Sequence, residues 1–391
     1  MKIKSLYIQK YRILQDLIIP FWEKDILPSE GYSLTVLAGL NGSGKSTILR
    51  ALAEIYSTIK ADQPCNFDYK FIYELSSGKE VSVDYSNSRQ NPYEINVDCE
   101  PQNGFDEIYK PNELVVHTTG LEQLWDEIAT QDQPQTASED LLGDSLISRV
   151  REKPVETKVK SLPDLQKPAF FLFRNRVAAL VTLCGLLRWK QDGTNESLLG
   201  EVLKQLELQR MVGFSMEFQL HPSLSNYDEF IRLVPLCDEH IQQGAIHKLI
   251  FDLPRNNQIL NDFDKGKEGF YEAFKDLEKL LYPMDIAPPV LHSVEMFFEV
   301  ERVVENIDDE KPSTIQKSIL PFSWLSDGEQ NFLSRMAMLT LLDVKDSIIL
   351  MDEPEVHFND YWKRKIIKMV DQVLKESHNH LIMTTHSSVV L

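Results

Sequence analysis

Gly39-Leu-Asn-Gly-Ser-Gly-Lys-Ser-Thr47 decides the fold: it fits the pattern G-x-x-x-x-G-K-[ST] and has the flanks that give that pattern mechanical meaning. In such a loop the glycines let successive backbone N–H groups turn toward one anion. The Lys45 ammonium reaches outer phosphates, and the Ser46 hydroxyl is placed to ligate magnesium. The candidate phosphate-binding residues are therefore Gly39, Asn41, Gly42, Ser43, Gly44, Lys45, Ser46 and Thr47. Before them, Ser33-Leu-Thr-Val-Leu-Ala38 reads as a buried strand; after them, Ile48, Leu49, Leu52 and Ile55 recur at helical spacing. Strand, glycine loop and helix start thus come in the order that sets an anion at the positive end of a helix dipole.

The 391 residues suffice for two or three structural units or for one elaborated α/β domain, and length alone does not choose. A hydrophobic content of 42% with 26% charged residues is that of an ordinary globular chain. No run approaches the about 18 apolar residues of a membrane span, and the charged, alternating N-terminus does not resemble a signal peptide, so a cytoplasmic, non-membrane protein is expected. Cys65, Cys99, Cys184 and Cys237 lie far apart without a C-x-x-C pair, which predicts free thiols and neither a metal site nor a disulfide framework. A formal net charge of −19 argues against a surface built for nonspecific DNA binding. Basic clusters at Arg149–Lys153 with Lys158 and Lys160, and at Lys363–Lys365, read either as solvated faces or as a local nucleic-acid groove.

In chain order, residues 1–22 read as a β-hairpin, and 69–75, 80–85 and 93–97 as an antiparallel meander. Leu114–Gly120 reads as a further strand ending in a turn. From 130 to 168 the chain is polar and rich in Pro, Ser, Asp and Gln, a linker or mobile loop. Apolar residues at helical spacing predict helices from Arg174 to about Met211, and another over Phe263–Leu281. No heptad repeat persists, so no long coiled-coil arm is expected. Val294–Val303 is strongly β-forming. These features divide the chain into an N-terminal lobe (1–125), a polar linker (126–168), a helical or mixed insert (169–285) and a C-terminal lobe (286–391).

Three further motifs follow in the C-terminal lobe. Ile348-Ile-Leu-Met-Asp-Glu-Pro354 is an apolar strand ending in two carboxylates. Beside a phosphate loop, Asp352 can hold magnesium together with Ser46, while Glu353 can orient and deprotonate an attacking water. Leu325-Ser-Asp-Gly-Glu-Gln330 opens a helix with Ser326 at its N-cap and Glu329 three residues on, a capping box that also makes a second anion site at Ser326 and Gly328. Leu381-Ile-Met-Thr-Thr385 is a strand that delivers His386 to its carboxyl end, where it can sense a terminal phosphate.

At these residues the chain resembles the ABC class of P-loop ATPases. Gly39–Thr47 is similar to Walker A, Leu325–Gln330 to the signature motif, Ile348–Glu353 to Walker B with its glutamate, Pro354–Asp360 to the D-loop, and His386 to the switch histidine. Tyr11-Arg12, Asp352-Glu-Pro-Glu-Val-His357 and Thr384-Thr-His-Ser-Ser388 resemble the RecF, SMC and OLD branch; within that branch the compact helical insert and Leu325-Ser-Asp-Gly-Glu-Gln330 are similar to bacterial antiphage ATPases such as the Septu ATPase subunit PtuA. The resemblance implies an α/β fold with a mixed sheet core, an antiparallel β subdomain and a compact helical insert. It also implies ATP and Mg2+ as cofactors, with Lys45, Glu353 and His386 as catalytic residues and Arg12 near the nucleotide or capping a surface strand. Ser326 and Gly328 would act in trans across a head-to-tail homodimer or higher oligomer. The implied function is an ATPase that gates an effector, such as a separate HNH-type nuclease, in antiphage defence. A RecF-like DNA-repair ATPase and a nucleotide-stabilised scaffold are the alternatives. Asp327 departs from the class by replacing the signature's first glycine, and Gln90, Gln123 and the turn at Gly120 are all candidates for the Q-loop. The chain stops at Leu391, five residues past His386, where class members continue with further strands, so it reads as a truncated or a partly ordered form.

Overall fold

A computed structural model describes residues 1–21, 31–119, 125, 128, 170–192, 198–220, 228–256, 258–264, 269–281, 289–304, 314–341, 344–356, 358–374 and 378–387. The 126–168 segment lies almost wholly outside the described residues, as do Gly120, Gln123, His357 and Ser388.

Strands β1 (Lys2–Tyr11) and β2 (Leu14–Pro20) form the expected hairpin, and β3 (Ser33–Ala38) runs through the glycine loop into α1 (Lys45–Ala61). The meander follows as β4 (Tyr69–Glu74), β5 (Glu80–Tyr85), β6 (Tyr93–Val97) and β7 (Glu100–Gln102). It joins the hairpin in a six-stranded antiparallel sheet of order β2-β1-β4-β5-β6-β7.

After β8 (Leu114–Thr118) and β9 (Phe171–Phe173) come α2 (Asn175–Asp192), α3 (Leu198–Gln205) and β10 (Leu208–Gln219). The helical expectation up to Met211 is thus corrected from Leu208 onward. There the chain pairs with two distant strands, and this long-range ladder, which buries Phe214, Met216 and Phe218, overrides the local apolar spacing. Next are α4 (Asp228–Leu233), β11 (Glu239–Gln243), β12 (Ile246–Asp252), α5 (Gln258–Phe263) and α6 (Gly269–Glu278). The single helix expected over Phe263–Leu281 is therefore two. At the second one's start a Cβ on Gly269 would lie 2.4 Å from the Phe263 carbonyl oxygen, so only glycine permits the chain to fold back so closely. Strands β13 (Leu291–Val304) and β14 (Thr314–Pro321) complete a five-stranded antiparallel sheet of order β11-β12-β10-β13-β14. This sheet draws strands from both sides of residue 285.

The chain closes with α7 (Asp327–Leu341), β15 (Ile348–Asp352), α8 (Asp360–Leu374) and β16 (His380–Thr385). A five-stranded sheet of order β3-β16-β15-β8-β9, parallel throughout, is the centre of the molecule. Its strands are covered on both faces, which is why β15 and β16 are near-continuous apolar runs. Alternation sorts their side chains: Ile348, Leu350 and Ile382 face the core under α1 and the six-stranded sheet, while Ile349, Met351, Leu381 and Met383 face the core beneath α2 and α7. Contrary to the expectation of a buried strand, β3 is only half-buried, as its place at the sheet edge requires. The β1 strand is fastened to this sheet by buried His380, whose Nδ1 accepts from the Ile3 N–H at 2.8 Å while Nε2 lies 2.9 Å from the Thr35 hydroxyl.

Candidate functional site

The glycine loop projects from the carboxyl end of β3, where parallel sheets gather ligands. Gly42 (φ 79°) and Gly44 (φ 92°) occupy the left-handed region, so the turn needs glycine at both places. Gly39, Asn41, Gly42 and Ser43 are exposed, and Gly44 is buried against the β1–β2 turn: a Cβ there would meet Leu14 at 3.2 Å and Ile13 at 3.4 Å. The hairpin thus braces the loop. Arg12, at the tip of that turn, is exposed with its guanidinium 5.6 Å from the Tyr11 ring centroid.

Lys45 is 8% exposed and its ammonium donates to the carbonyl oxygens of Gly39 (2.8 Å) and Leu40 (3.1 Å), which holds the charge at the mouth of the loop. Ser46 Oγ donates to Asp352 Oδ1 at 2.9 Å, joining the first turn of α1 to the end of β15. Two residues 306 positions apart in sequence thus present hard oxygens side by side, a donor set suited to magnesium. Thr47 is half-buried one position on.

Thr384, which pairs with Asp352 in the β15–β16 register, connects the two carboxylates. Its hydroxyl donates to Asp352 Oδ1 at 2.6 Å and accepts from the Glu353 N–H at 3.0 Å. Thr119 Oγ1 donates to the Asp352 carbonyl at 3.4 Å. Glu353 has φ of 50°, a conformation that a non-glycine residue rarely adopts, and its Oε1 lies 3.3 Å from His386 Nδ1. The structure therefore brings Lys45, Ser46, Asp352, Glu353 and His386 together. Sequence reasoning missed Thr384 as a site residue; its only signal was a polar side chain closing an apolar strand.

Ser326 and Gly328 stand apart. The expected capping box is present: Ser326 N–H and Oγ both donate to a Glu329 carboxylate oxygen, at 2.8 and 2.7 Å. Among the described residues no hydrogen bond joins Ser326 or Gly328 to Gly39–Thr47. Gln90 is exposed in the turn between β5 and β6. Lys363 pairs with Asp360 at 3.7 Å and the Lys365 ammonium lies 5.6 Å from the Tyr361 ring centroid, both on α8. Cys65, Cys99, Cys184 and Cys237 are free thiols. Among the described residues no helix is long and apolar enough to cross a membrane, and no cluster of three or more His, Cys, Asp or Glu residues could hold a metal ion.

Two family models match the chain: one described as an AAA ATPase domain over residues 1–159, and one described as an AAA domain, putative AbiEii toxin, Type IV TA system, over residues 304–391. Both segments that build the site thus lie within stretches that models of AAA ATPase domains match. No curated protein matches the chain. Among solved structures, the SMC head domain from Thermotoga maritima aligns with 100% of this chain and 91% of its own at 12% identity and a TM-score of 0.38. The recombination mediator protein RecF-ATPrS aligns over 100% and 94% at 13% identity and 0.34. An Smc head domain bound to the C-terminal domain of ScpA, derived from Pyrococcus furiosus, aligns over 100% and 90% at 12% identity and 0.32.

Proposed function

We propose that this chain binds and hydrolyses ATP, pairs head to tail with a second copy when ATP is bound, and thereby gates a separate effector, such as an HNH-type nuclease, in bacterial antiphage defence. The observation that carries the ATPase reading is the continuous contact from Ser46 through Asp352 and Thr384 to Glu353 and His386, beside the Lys45 ammonium. In this reading Gly39–Thr47 cradle the phosphates with backbone N–H groups and α1's N-terminus, and Lys45 leaves its loop carbonyls for the outer phosphates. Ser46 and Asp352 would hold Mg2+, which neutralises phosphate charge when bound. Glu353 orients the attacking water and takes its proton on a carboxylate oxygen, and His386, in contact with that carboxylate, reads the terminal phosphate.

Head-to-tail pairing is supported by the position of Ser326 and Gly328: an exposed helix start with no hydrogen bond to the chain's own phosphate loop. ATP held only between paired copies stabilises the pair by mass action. In this reading the lobes 1–125 and 286–391 supply the site. The defence role draws on the description of the C-terminal family model as a putative AbiEii toxin. A RecF-like role in DNA repair would use the same site, and salt-dependent duplex binding stimulated by ATP would select it. Glu353→Gln is expected to bind ATP without turning it over and to accumulate as a closed pair. Size exclusion showing no nucleotide-dependent change in assembly for this variant counts against the proposal.

A further inference from the structure

Arg335, near the middle of α7, is 2% exposed, and among the described residues its hydrogen bonds go to His117, Pro354 and Val356. Its Nε donates to His117 Nε2 at 3.0 Å, and its Nη1 donates to the Pro354 carbonyl and, at 3.1 Å, to the Val356 carbonyl. The guanidinium also lies 4.8 Å from the Phe358 ring centroid. Burial lowers its pKa to about 10, an effect that the Glu355 charge opposes, so it remains a cation at neutral pH. Burial, and then the Arg335 charge, push His117 well below its ordinary value, which keeps that imidazole neutral and able to accept.

Burying a guanidinium is costly before its contacts are counted, and an apolar side chain of similar volume would fill the same space without that penalty. Here the charge is directed at two main-chain carbonyls of the turn that begins at Glu353. That turn needs support. Glu353 sits in the left-handed region, which strains a non-glycine residue and persists only where the surroundings hold it. Thr384 holds the Glu353 N–H from one side, and Arg335 holds the carbonyls that follow from the other. Glu355, on the same turn, is 2% exposed and accepts from the Thr385 hydroxyl, which ties the turn to the strand that delivers His386.

α7 is itself fixed along its length by α2. Thr182 Oγ1 donates to Ser334 Oγ at 2.7 Å, and Arg188 donates to the carbonyls of Thr340 and Leu341 at 3.1 and 3.0 Å. Ser334 therefore faces the insert while its neighbour Arg335 faces the Glu353 turn, and the same helix carries Ser326 and Gly328 at its start.

We propose that Arg335 is a positioning residue: it fixes the Glu353–Val356 turn so that the Glu353 carboxylate is held toward the phosphate site, and it makes that position depend on where α7 sits. The inference deepens the ATPase reading above and rests on Glu353 being the base. Engagement of Ser326 by a second copy, or a load on the insert, would then reach the hydrolytic centre by way of Arg335.

The test uses the full chain with Mg-ATP and measures three quantities: nucleotide affinity, melting temperature, and single-turnover hydrolysis per bound nucleotide. Arg335→Met is expected to bind ATP within about twofold of wild type while hydrolysis per bound nucleotide falls by about 10- to 100-fold. Arg335→Lys keeps the buried charge, reaches fewer acceptors and is expected to fall less, by about 3- to 10-fold, which preserves a reading if the Met variant does not fold. A merely structural arginine would lower the melting temperature and leave hydrolysis per bound nucleotide at the wild-type value, and that result in either folded variant overturns the proposal. Glu353→Gln in parallel separates the two levels. If it hydrolyses at the wild-type rate, the base assignment fails; if it is inactive while the Arg335 variants are unchanged, Arg335 alone is misassigned.

Discussion

Thr384 and His380 lie four residues apart on β16 and do opposite work with hydrogen bonds. Thr384 uses one hydroxyl to fix both members of the acidic pair, Asp352 through its carboxylate and Glu353 through its N–H. His380 uses both ring nitrogens to fix backbone and sheet: accepting from the Ile3 N–H at Nδ1 leaves the proton on Nε2, directed to the Thr35 hydroxyl. Burial, followed by the N-terminal ammonium and Lys2 charges, pushes its pKa down to about 3. In the unfolded chain it titrates near about 6.5, so between those values the unfolded chain binds a proton that the folded chain refuses. Stability is therefore fully present above about pH 6.5 and falls as the pH drops toward 3, by at most about 1.4 kcal/mol per pH unit from this group. His117, also depressed by burial, adds to the same slope. His380→Gln is expected to lose less melting temperature between about pH 7 and 5 than wild type, and equal slopes would contradict the assignment.

At the scale of elements, α2 and α7 pack at a distance that depends on one glycine. A Cβ on Gly185 would lie 2.6 Å from the Ala337 carbonyl oxygen and 2.9 Å from its Cβ. In an open helix Gly→Ala is stabilising by about 1 kcal/mol, whereas here it must separate two helices, so Gly185→Ala is expected to destabilise by about 1–3 kcal/mol. Thermal or urea unfolding gives the sign, and stabilisation would show that the two helices do not touch. The elements most legible in the sequence were those whose pattern is local: the glycine loop with its strand and helix, the hairpin, the meander, and the apolar strand ending at Asp352 and Glu353. The five-stranded antiparallel sheet was hidden because β10 pairs with β12 and β13, both well downstream in sequence, and no local period marks such a pairing. Thr384 was hidden for the same reason, since its role arises from register with Asp352. Nothing in the sequence pattern marks Arg335, and only the fold shows that it faces a strained turn.

For the whole molecule, the parallel sheet separates two cores and delivers from its carboxyl ends the loop, the acidic pair and the histidine. The antiparallel sheet and hairpin brace the loop from one core, and α2 and α7 support the acidic turn from the other. Ser326 and Gly328, at the start of α7, would under the proposed pairing serve the site of a second copy. The central claim is that each nucleotide site is shared between copies, and mixing two disabled variants tests it most directly. Lys45→Ala removes the phosphate ammonium and Ser326→Arg blocks the helix start, so each is expected to lose ATP turnover alone. A mixed pair still contains one site with both Lys45 and Ser326 intact, and the mixture is expected to regain roughly a quarter of wild-type turnover if copies pair at random and sites act independently. A mixture no more active than its parts, or Ser326→Arg turning over ATP at the wild-type rate by itself, would contradict a shared site.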